Sequence, residues 1–318
     1  MNSLKYSIIV PVYNRPNEID ELLQSVIDQD FHHSFEILII EDGSKETCEN
    51  IIDGYTNKLD IRYFFKENSG PGGSRNFGMQ KASGDYFIIL DSDVVLPKNY
   101  LNEVNTHLEA NFTDAFGGPD AAHSSFTSLQ KAINYSMTSL LTTGGIRGKK
   151  KGVGKFQPRS FNMGLSRKAF EVTKGFSDMR AGEDIDLTFR LWEAGFETQL
   201  IERAFVYHKR RNTISSFYHQ TFAFGTARPI LNRKYPSTKK ITYWFPSFFI
   251  IGFDCSILLL IFGYWYFTVF YAIYFVALFS DATVENKSAK VGFLSIVTSF
   301  TQFMGYGLGF LQSQFISK

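Results

Sequence analysis

The stretch that decides the fold is FIILDSDVVLP, Phe87 to Pro97, in which four apolar residues run directly into two aspartates. A short, continuous apolar run predicts a strand that is buried on both faces. Asp91 and Asp93 repel each other at the end of that strand, and an unpaired buried carboxylate is costly. The pair is therefore either a solvated turn or a site for a cation.

Short apolar runs alternate with helix-like segments on the N-terminal side of this stretch. Strands are predicted at Tyr6–Val12, Phe35–Ser44, Ile61–Glu67 and Asp85–Leu90, and helices at Asn17–Gln29 and Pro71–Ala82. Ser44 is the expected cap of a further helix after the second strand. The alternation predicts a parallel, doubly wound α/β sheet, which binds its ligands at the C-terminal ends of its strands.

Polar side chains gather at those strand ends. They are Tyr13 and Asn14, then Asp42, Gly43 and Ser44, then Asp91, Ser92 and Asp93. Two carboxylates one residue apart in a turn can share a divalent cation that prefers oxygen ligands, such as Mg²⁺ or Mn²⁺. Asp42 could accept a hydrogen bond from a nucleobase or ribose, or it could simply close an Asx turn.

A further pair of acids, Glu183 and Asp184, opens the predicted amphipathic helix in AGEDIDLTFRLWEAGF, Ala181 to Phe196. A negative charge at the N-terminus of a helix stabilises it, and this explains one of the two acids. The second acid, in a pair that follows a glycine, also suits a catalytic base. Between Asn111 and this helix the pattern is weaker, with a possible strand at Ala115–Asp120 and a helix at Phe126–Leu141. The basic, glycine-rich Thr142–Lys155 is expected to be a mobile loop, acting either as a cover for an anionic substrate or as a plain linker.

Net charge, cysteine content and the N-terminal stretch indicate the kind of partner and the cellular compartment of the chain. The 318 residues carry a formal net charge of +2, which does not argue for a nucleic-acid partner. Cys48 and Cys255 lie in different contexts, so we expect no disulfide and a reducing compartment. The N-terminal stretch does not resemble a signal peptide, because a proline and an asparagine interrupt its apolar run.

The C-terminal third is strongly apolar. Asp254 is the only charged residue from Trp244 to Phe279, a run longer than one membrane span requires. We expect a hairpin that turns near Gly263 and Tyr264; one long tilted or interfacial helix, or a buried soluble helical domain, is the alternative. A polar loop, 280–290, would precede a second apolar stretch, 291–310, whose glycines permit close helix packing.

Basic residues concentrate ahead of the apolar run. They are Arg203, Lys209, Arg210, Arg211, Arg228, Arg233, Lys234, Lys239 and Lys240. Such a cluster suits the cytoplasmic side of a membrane, where it meets anionic headgroups. A solvated basic face is the alternative.

Five segments occur in a fixed order between Tyr6 and His208: VPVYN, EDGS, GPGGSRNFG, LDSD and GEDIDLTFRLWEAG. With them the chain resembles the family 2 glycosyltransferases. The resemblance implies a GT-A fold, which is an α/β, nucleotide-binding, doubly wound mixed sheet, here followed by a C-terminal helical membrane region. The implied catalytic domain is 1–240, with a nucleotide-binding part to about residue 115 and an acceptor part over 116–240, and the membrane-associated helices are 241–318.

The resemblance also implies roles for individual residues. Nucleotide-sugar binding falls to Pro11, Tyr13, Asn14, Asp42, Arg75 and Asp91, with Asp42 on the base and Arg75 facing the nucleotide or its phosphates. The implied metal ligands are Asp93, Asp91 and His208. Asp184 matches the catalytic base, and Glu183 would help to place the acceptor.

The implied reaction is the inverting transfer of one sugar from a nucleotide-diphosphate sugar to a hydroxyl of a lipid-linked or glycan acceptor, with Mg²⁺ or Mn²⁺. Processive members carry Q-x-x-R-W after the base, whereas His219–Pro236 lacks it, which favours addition of a single sugar. The implied location is the bacterial inner membrane, with the catalytic domain in the cytoplasm.

Rival readings are a processive polysaccharide synthase and a non-catalytic nucleotide-sugar-binding membrane protein. A glycosidase would need no metal pair. A dinucleotide-binding oxidoreductase would need a glycine spacing that GPGGSRNFG lacks.

Overall fold

The computed structural model describes residues 4–121, 123, 125–143 and 155–316. Two compact units are formed, the first within residues 1–123 and 150–208 and the second within 124–149 and 209–318. The predicted domain boundary at residue 240 stays a prediction. The predicted mobile loop Thr142–Lys155 lies, except for its ends, outside the described residues.

The first unit contains all ten strands of the described chain. They are β1 (Tyr6–Val12), β2 (Phe35–Asp42), β3 (Ile61–Lys66), β4 (Tyr86–Leu90), β5 (Val94–Val95), β6 (Ala115–Gly117), β7 (Asp120–Ala121), β8 (Asn162–Ser166), β9 (Thr198–Leu200) and β10 (Val206–His208). The helices of both units, in chain order, are α1 (Pro16–Ile27), α2 (Glu49–Asp53), α3 (Gly70–Lys81), α4 (Tyr100–Ala110), α5 (Ser128–Thr138), α6 (Leu140–Thr143), α7 (Arg167–Thr173), α8 (Glu183–Glu193), α9 (Ile214–Lys234), α10 (Phe245–Ile261), α11 (Tyr266–Asn286) and α12 (Ala289–Phe315).

The main sheet has seven strands in the order β3-β2-β1-β4-β8-β6-β9. The first four strands are parallel, as the alternation of strands and helices predicts. β8 runs antiparallel to both β4 and β6, so the sheet is mixed, as expected for a GT-A fold. Ile8 and Ile9, neighbours in β1, belong to the hydrophobic cores on opposite faces of the sheet. The strand is therefore buried on both sides, which explains its continuous apolar run.

A small second sheet, β5-β10-β7, follows the turn that carries Asp91 and Asp93. β10 pairs antiparallel with β5, and His208 stands opposite Val94. The expected single strand Ala115–Asp120 is wrong in detail: its start is β6 of the main sheet, and its end begins β7 of the second sheet. Gly118 and Pro119 separate the two strands.

The predicted role of Ser44 as a helix cap is wrong. α2 begins only at Glu49, after Cys48. The Ser44 hydroxyl instead donates a hydrogen bond to the buried carboxylate of Glu41. That carboxylate also accepts from the Cys48 backbone N–H at 2.9 Å and thereby holds the loop after β2.

The second unit is helical, and its expected hairpin is confirmed. α10 and α11 are separated by a short turn in which Gly263 has a φ of +88°. The predicted polar loop over 280–290 is wrong, because α11 continues through Asn286 and only Lys287 and Ser288 separate it from α12.

Three helical stretches of the described residues are long and apolar enough to cross a membrane. They are Ile241–Ile261, Tyr266–Asn286 and Ala289–Phe315. The close packing predicted for the glycines of α12 is also confirmed. A side chain at Gly305 or Gly309 would meet the backbone of α9 around Phe222.

Candidate active site

The first unit brings the aspartates of the LDSD segment together with three cationic or titratable side chains. Asp93 lies between Arg15, whose Nη1 donates to Asp93 Oδ2, and His208, whose Nε2 is 3.2 Å from Asp93 Oδ1. Arg15 stands directly before α1, at the C-terminal end of β1, whereas His208 is delivered by β10. Three segments distant in sequence therefore meet at one carboxylate.

Asp91 is held from the other side by Arg75 of α3. The Arg75 guanidinium donates to Asp91 Oδ1 at 2.7 Å and to Glu183 Oε1 at 3.0 Å, and it lies over the ring of Phe176. Its side chain is 3% exposed. The sequence-based expectation placed Arg75 against the nucleotide or its phosphates. In the structure Arg75 joins a predicted metal ligand to a predicted catalytic acid, and its contact with the nucleotide stays a prediction.

Burial and charge set the protonation of these groups. Burial raises the pKa of Asp93, but His208 and Arg15 outweigh it and hold that pKa well below the usual range of a carboxyl. Burial lowers the pKa of Arg75, yet Asp91 and Glu183 raise it above its ordinary value. Burial and then the neighbouring Asp184 raise the pKa of Glu183, against the effect of Arg75. His208 and Arg15 thus keep Asp93 available as an anionic ligand.

Asp91, Asp93 and His208 each offer one ligand atom, and these atoms lie within 4.8 Å of one another. Within the described residues, the buried His208 Nδ1 makes no hydrogen bond. Two carboxylates with an imidazole suit a divalent cation, since carboxylates favour Mg²⁺ and Mn²⁺ while imidazole favours transition metals. The residues therefore fit a divalent metal.

The segment ahead of β8 contributes to the same site. The Phe161 ring stacks on His208 with centroids 4.8 Å apart, and the Phe161 carbonyl accepts from the Asp91 N–H at 3.3 Å. Arg159 Nη1 lies 3.7 Å from Asp184 Oδ2. One short stretch therefore touches both the predicted metal ligands and the predicted base.

Asp184 and Glu183 form the first turn of α8, where the helix dipole stabilises negative charge. The chain enters this helix through Gly182, whose φ of +78° is the left-handed conformation that glycine adopts without strain. Gly72 of α3 lies next to the same segment, and a side chain there would press on Phe176 and the Ser177 carbonyl at 3.3 Å, close to the Glu183 side chain. Local backbone geometry thus fixes the positions of both acids.

The predicted nucleotide-binding residues of β1 lie at its C-terminal end. Tyr13 is 52% exposed, and Pro11 is half-buried. Asn14 has a φ of +52°, and its side-chain oxygen accepts from the Lys45 N–H at 2.8 Å. Asn14 therefore joins the loops after β1 and β2 and leaves the Tyr13 ring open to a ligand.

Asp42 is less available than the sequence suggested. Its carboxylate accepts from the N–H groups of Ser69 and Gly70, both at 2.9 Å, and pairs with Lys66. Only 3% of the residue is exposed. Its predicted contact with a nucleobase stays a prediction, while its observed contacts fix the entry to α3.

Three residues that sequence reasoning missed belong to this region: Arg15, Arg159 and Phe161. Arg15 directly follows VPVYN, so its neighbourhood was a usable signal. Arg159 and Phe161 precede a strand that the residue pattern does not reveal, and nothing in the sequence singled them out.

Known proteins resemble this chain in sequence. The model of glycosyl transferase family 2 matches residues 7–173. An uncharacterized glycosyltransferase of Rickettsia bellii is 39% identical over 111 residues, which are 35% of this chain and 16% of the relative. The poly(ribitol-phosphate) beta-N-acetylglucosaminyltransferase TarS of Staphylococcus aureus is 33% identical over 114 residues, 35% of this chain and 20% of the relative. Each alignment thus spans a fifth or less of the relative's length.

Two solved structures share the fold. The mannosyltransferase PcManGT of Pyrobaculum calidifontis, in complex with GDP-Man and Mn²⁺, has a TM-score of 0.63 at 14% identity, covering 100% of this chain and 89% of that one. TarS 1–349 of S. aureus, in complex with UDP-GlcNAc, has a TM-score of 0.52 at 19% identity, covering 97% of this chain and 91% of that one.

Proposed function

Because the chain belongs to glycosyl transferase family 2, we propose that it transfers one sugar, with inversion, from a nucleotide-diphosphate sugar to a hydroxyl of a lipid-linked or glycan acceptor. The observation that carries the proposal is the meeting of Asp91, Asp93 and His208 in the unit that also presents Asp184 at the start of α8. The complexes of PcManGT and TarS with nucleotide sugars support the donor class.

Asp184 is the proposed general base. It takes the proton from the acceptor hydroxyl, which attacks the anomeric carbon from the face opposite the leaving diphosphate. Glu183, held by Arg75 at 3.0 Å, positions the acceptor next to that base. Arg75 bonds to Glu183 at 3.0 Å, whereas Arg159 lies 3.7 Å from Asp184, so Asp184 is the acid that its arginine engages less closely.

Asp91, Asp93 and His208 are the residues that would hold a divalent metal. When bound there, such a metal offsets the negative charge that develops on the leaving diphosphate. The imidazole among the donors favours Mn²⁺ over Mg²⁺, and the Mn²⁺ in the PcManGT complex agrees with this choice.

Membrane association is the second part of the proposal. Three apolar helical stretches and the basic residues before α10 support insertion, with the catalytic unit on the cytoplasmic side of a bacterial inner membrane. The curated relatives also include a hyaluronan synthase of Pasteurella multocida, and its name supports a role in polysaccharide synthesis. A membrane fraction that releases the protein into alkaline carbonate, without detergent, would contradict insertion.

The decisive experiment is the release of nucleoside diphosphate from UDP-GlcNAc, GDP-Man and other nucleotide sugars by detergent-purified protein, with Mn²⁺ or Mg²⁺. We expect Asp93→Ala and Asp184→Asn each to abolish release, while Asp53→Asn, an exposed aspartate of α2, leaves it intact. Full activity of Asp184→Asn at saturating donor would refute the base assignment. A protein that binds donor but never releases nucleotide, with or without candidate acceptors, would be a binding protein, and long products from one donor would indicate a processive synthase.

A further inference from the structure

Each aspartate of the LDSD segment is paired with one arginine, but the two arginines differ in freedom. Arg75 is almost fully buried, bonds to a second carboxylate and packs on an aromatic ring. Arg15 has a side chain that is 30% exposed, and within the described residues Asp93 is the one hydrogen-bond acceptor of its guanidinium. Arg75 is therefore fixed in place, whereas Arg15 can leave its partner by rotating toward solvent.

The contact made by Arg15 is on a proposed metal ligand. Its Nη1 bonds to Oδ2 of Asp93, while His208 lies against Oδ1 of the same carboxylate. A guanidinium hydrogen-bonded to a carboxylate repels a divalent cation that coordinates it, because both positive charges then lie within a few ångströms. Arg15 and a metal thus compete for Asp93.

We propose that Arg15 occupies Asp93 in the metal-free protein, is displaced when the metal binds, and then binds the diphosphate of the donor. This inference rests on the proposed metal and donor site. A displaced guanidinium stays near the end of β1, next to the proposed nucleotide site, and the planar guanidinium can bond two oxygens of a diphosphate at once. Arg15 would then be a specificity and positioning residue that couples metal binding to donor binding.

The inference predicts opposite effects on two ligands. The full-length protein in detergent is titrated with Mn²⁺ alone, followed by the paramagnetic resonance of free Mn²⁺, and then with inorganic pyrophosphate at saturating Mn²⁺, followed by calorimetry. Arg15→Gln should bind Mn²⁺ about tenfold more tightly and pyrophosphate about tenfold more weakly than the wild-type protein, each equal to about 1.4 kcal/mol.

Two further variants serve as controls. Arg15→Lys keeps the positive charge, so its Mn²⁺ affinity should stay close to that of the wild-type protein. This variant also tests the role of the charge at position 15 if the glutamine variant fails to fold. Arg62→Gln removes an arginine that pairs with Glu36 and should change neither titration. Mn²⁺ binding that is unchanged or weakened in Arg15→Gln overturns the inference while leaving the proposed metal site intact. A wild-type protein that binds no Mn²⁺ would overturn the metal site itself, and the inference with it.

Discussion

Replacing Arg75 with alanine should strongly destabilise the first unit. Its guanidinium bonds to Asp91 and Glu183, and its positive charge offsets the negative charges of both carboxylates. Removing one partner of a buried ion pair costs about 3–5 kcal/mol, because the remaining charge is left uncompensated. Glu183 is 10% exposed and Asp91 is 30% exposed, so the full penalty falls on Glu183 alone and we expect about 4 kcal/mol. In a unit of this size that corresponds to a fall in Tm of roughly 8–16 °C.

The loss should also depend on pH. Burial and Asp184 already hold the pKa of Glu183 above its ordinary value, and removing Arg75 raises it further. A carboxyl whose pKa is raised binds its proton more tightly in the folded state than in the unfolded state, so the folded state is favoured as the pH falls. The deficit of Arg75→Ala should therefore shrink when the pH is lowered from 7.5 toward 5.5.

The assay is thermal unfolding of the detergent-purified protein, followed by circular dichroism at both pH values. Arg62→Ala is the matched control, since its ion pair with Glu36 is 41% exposed on the arginine side and should be worth about 1 kcal/mol or less. A change in Tm below 2 °C for Arg75→Ala, or a deficit that grows at low pH, would refute the assignment of Arg75 as the clamp between the two acids.

Three further changes test the surrounding structure. Burial raises the pKa of Glu36, but hydrogen bonds from Ser7 and Ser83 outweigh it and lower that pKa to about 2. Glu36→Gln should therefore lower the free energy of unfolding at pH 7, measured in urea, by up to about 3 kcal/mol. This difference should fade as the pH falls from about 4.5 toward 2, and a difference that stays constant would contradict the reasoning. Gly182→Ala should lower the free energy of unfolding by roughly 1–2 kcal/mol, because alanine is strained at the positive φ of this position. It should also lower kcat for nucleotide release, and an unchanged kcat would show that the conformation of Gly182 does not matter for catalysis. Glu41→Gln should free the loop after β2 and speed alkylation of Cys48 by iodoacetamide, as read by mass spectrometry, and an unchanged rate would show that Glu41 does not hold this loop.

The strands that the sequence predicts well are those whose stability comes from their own side chains. β1 and β2 each contain a run of branched apolar residues, 8–10 and 37–40, and their predicted bounds differ from the observed ones by two residues at most. β8, Asn-Met-Gly-Leu-Ser, has no such run and is fully buried only because β4 and β6 pair with it on both sides. Its strand character is set by tertiary pairing, which local residue patterns do not encode.

The same distinction divides the candidate site. Asp91 and Asp93 were predictable because parallel strands deliver their C-terminal residues to one edge of the sheet, whatever the rest of the chain does. The partners of the arginines were not predictable from the sequence. A long side chain can reach several carboxylates, and which one it bonds to depends on where separate segments of the chain meet. Arg75 was expected to face the nucleotide or its phosphates, and the sequence did not predict that it bridges two acids, while Arg15 reaches Asp93 across 78 residues of sequence. Carboxylates gathered this closely must be neutralised by something. Arg75 and Arg15 contribute to that role at Asp91 and Asp93, so the placement of these arginines follows from the same charge cluster that suits the site to a metal.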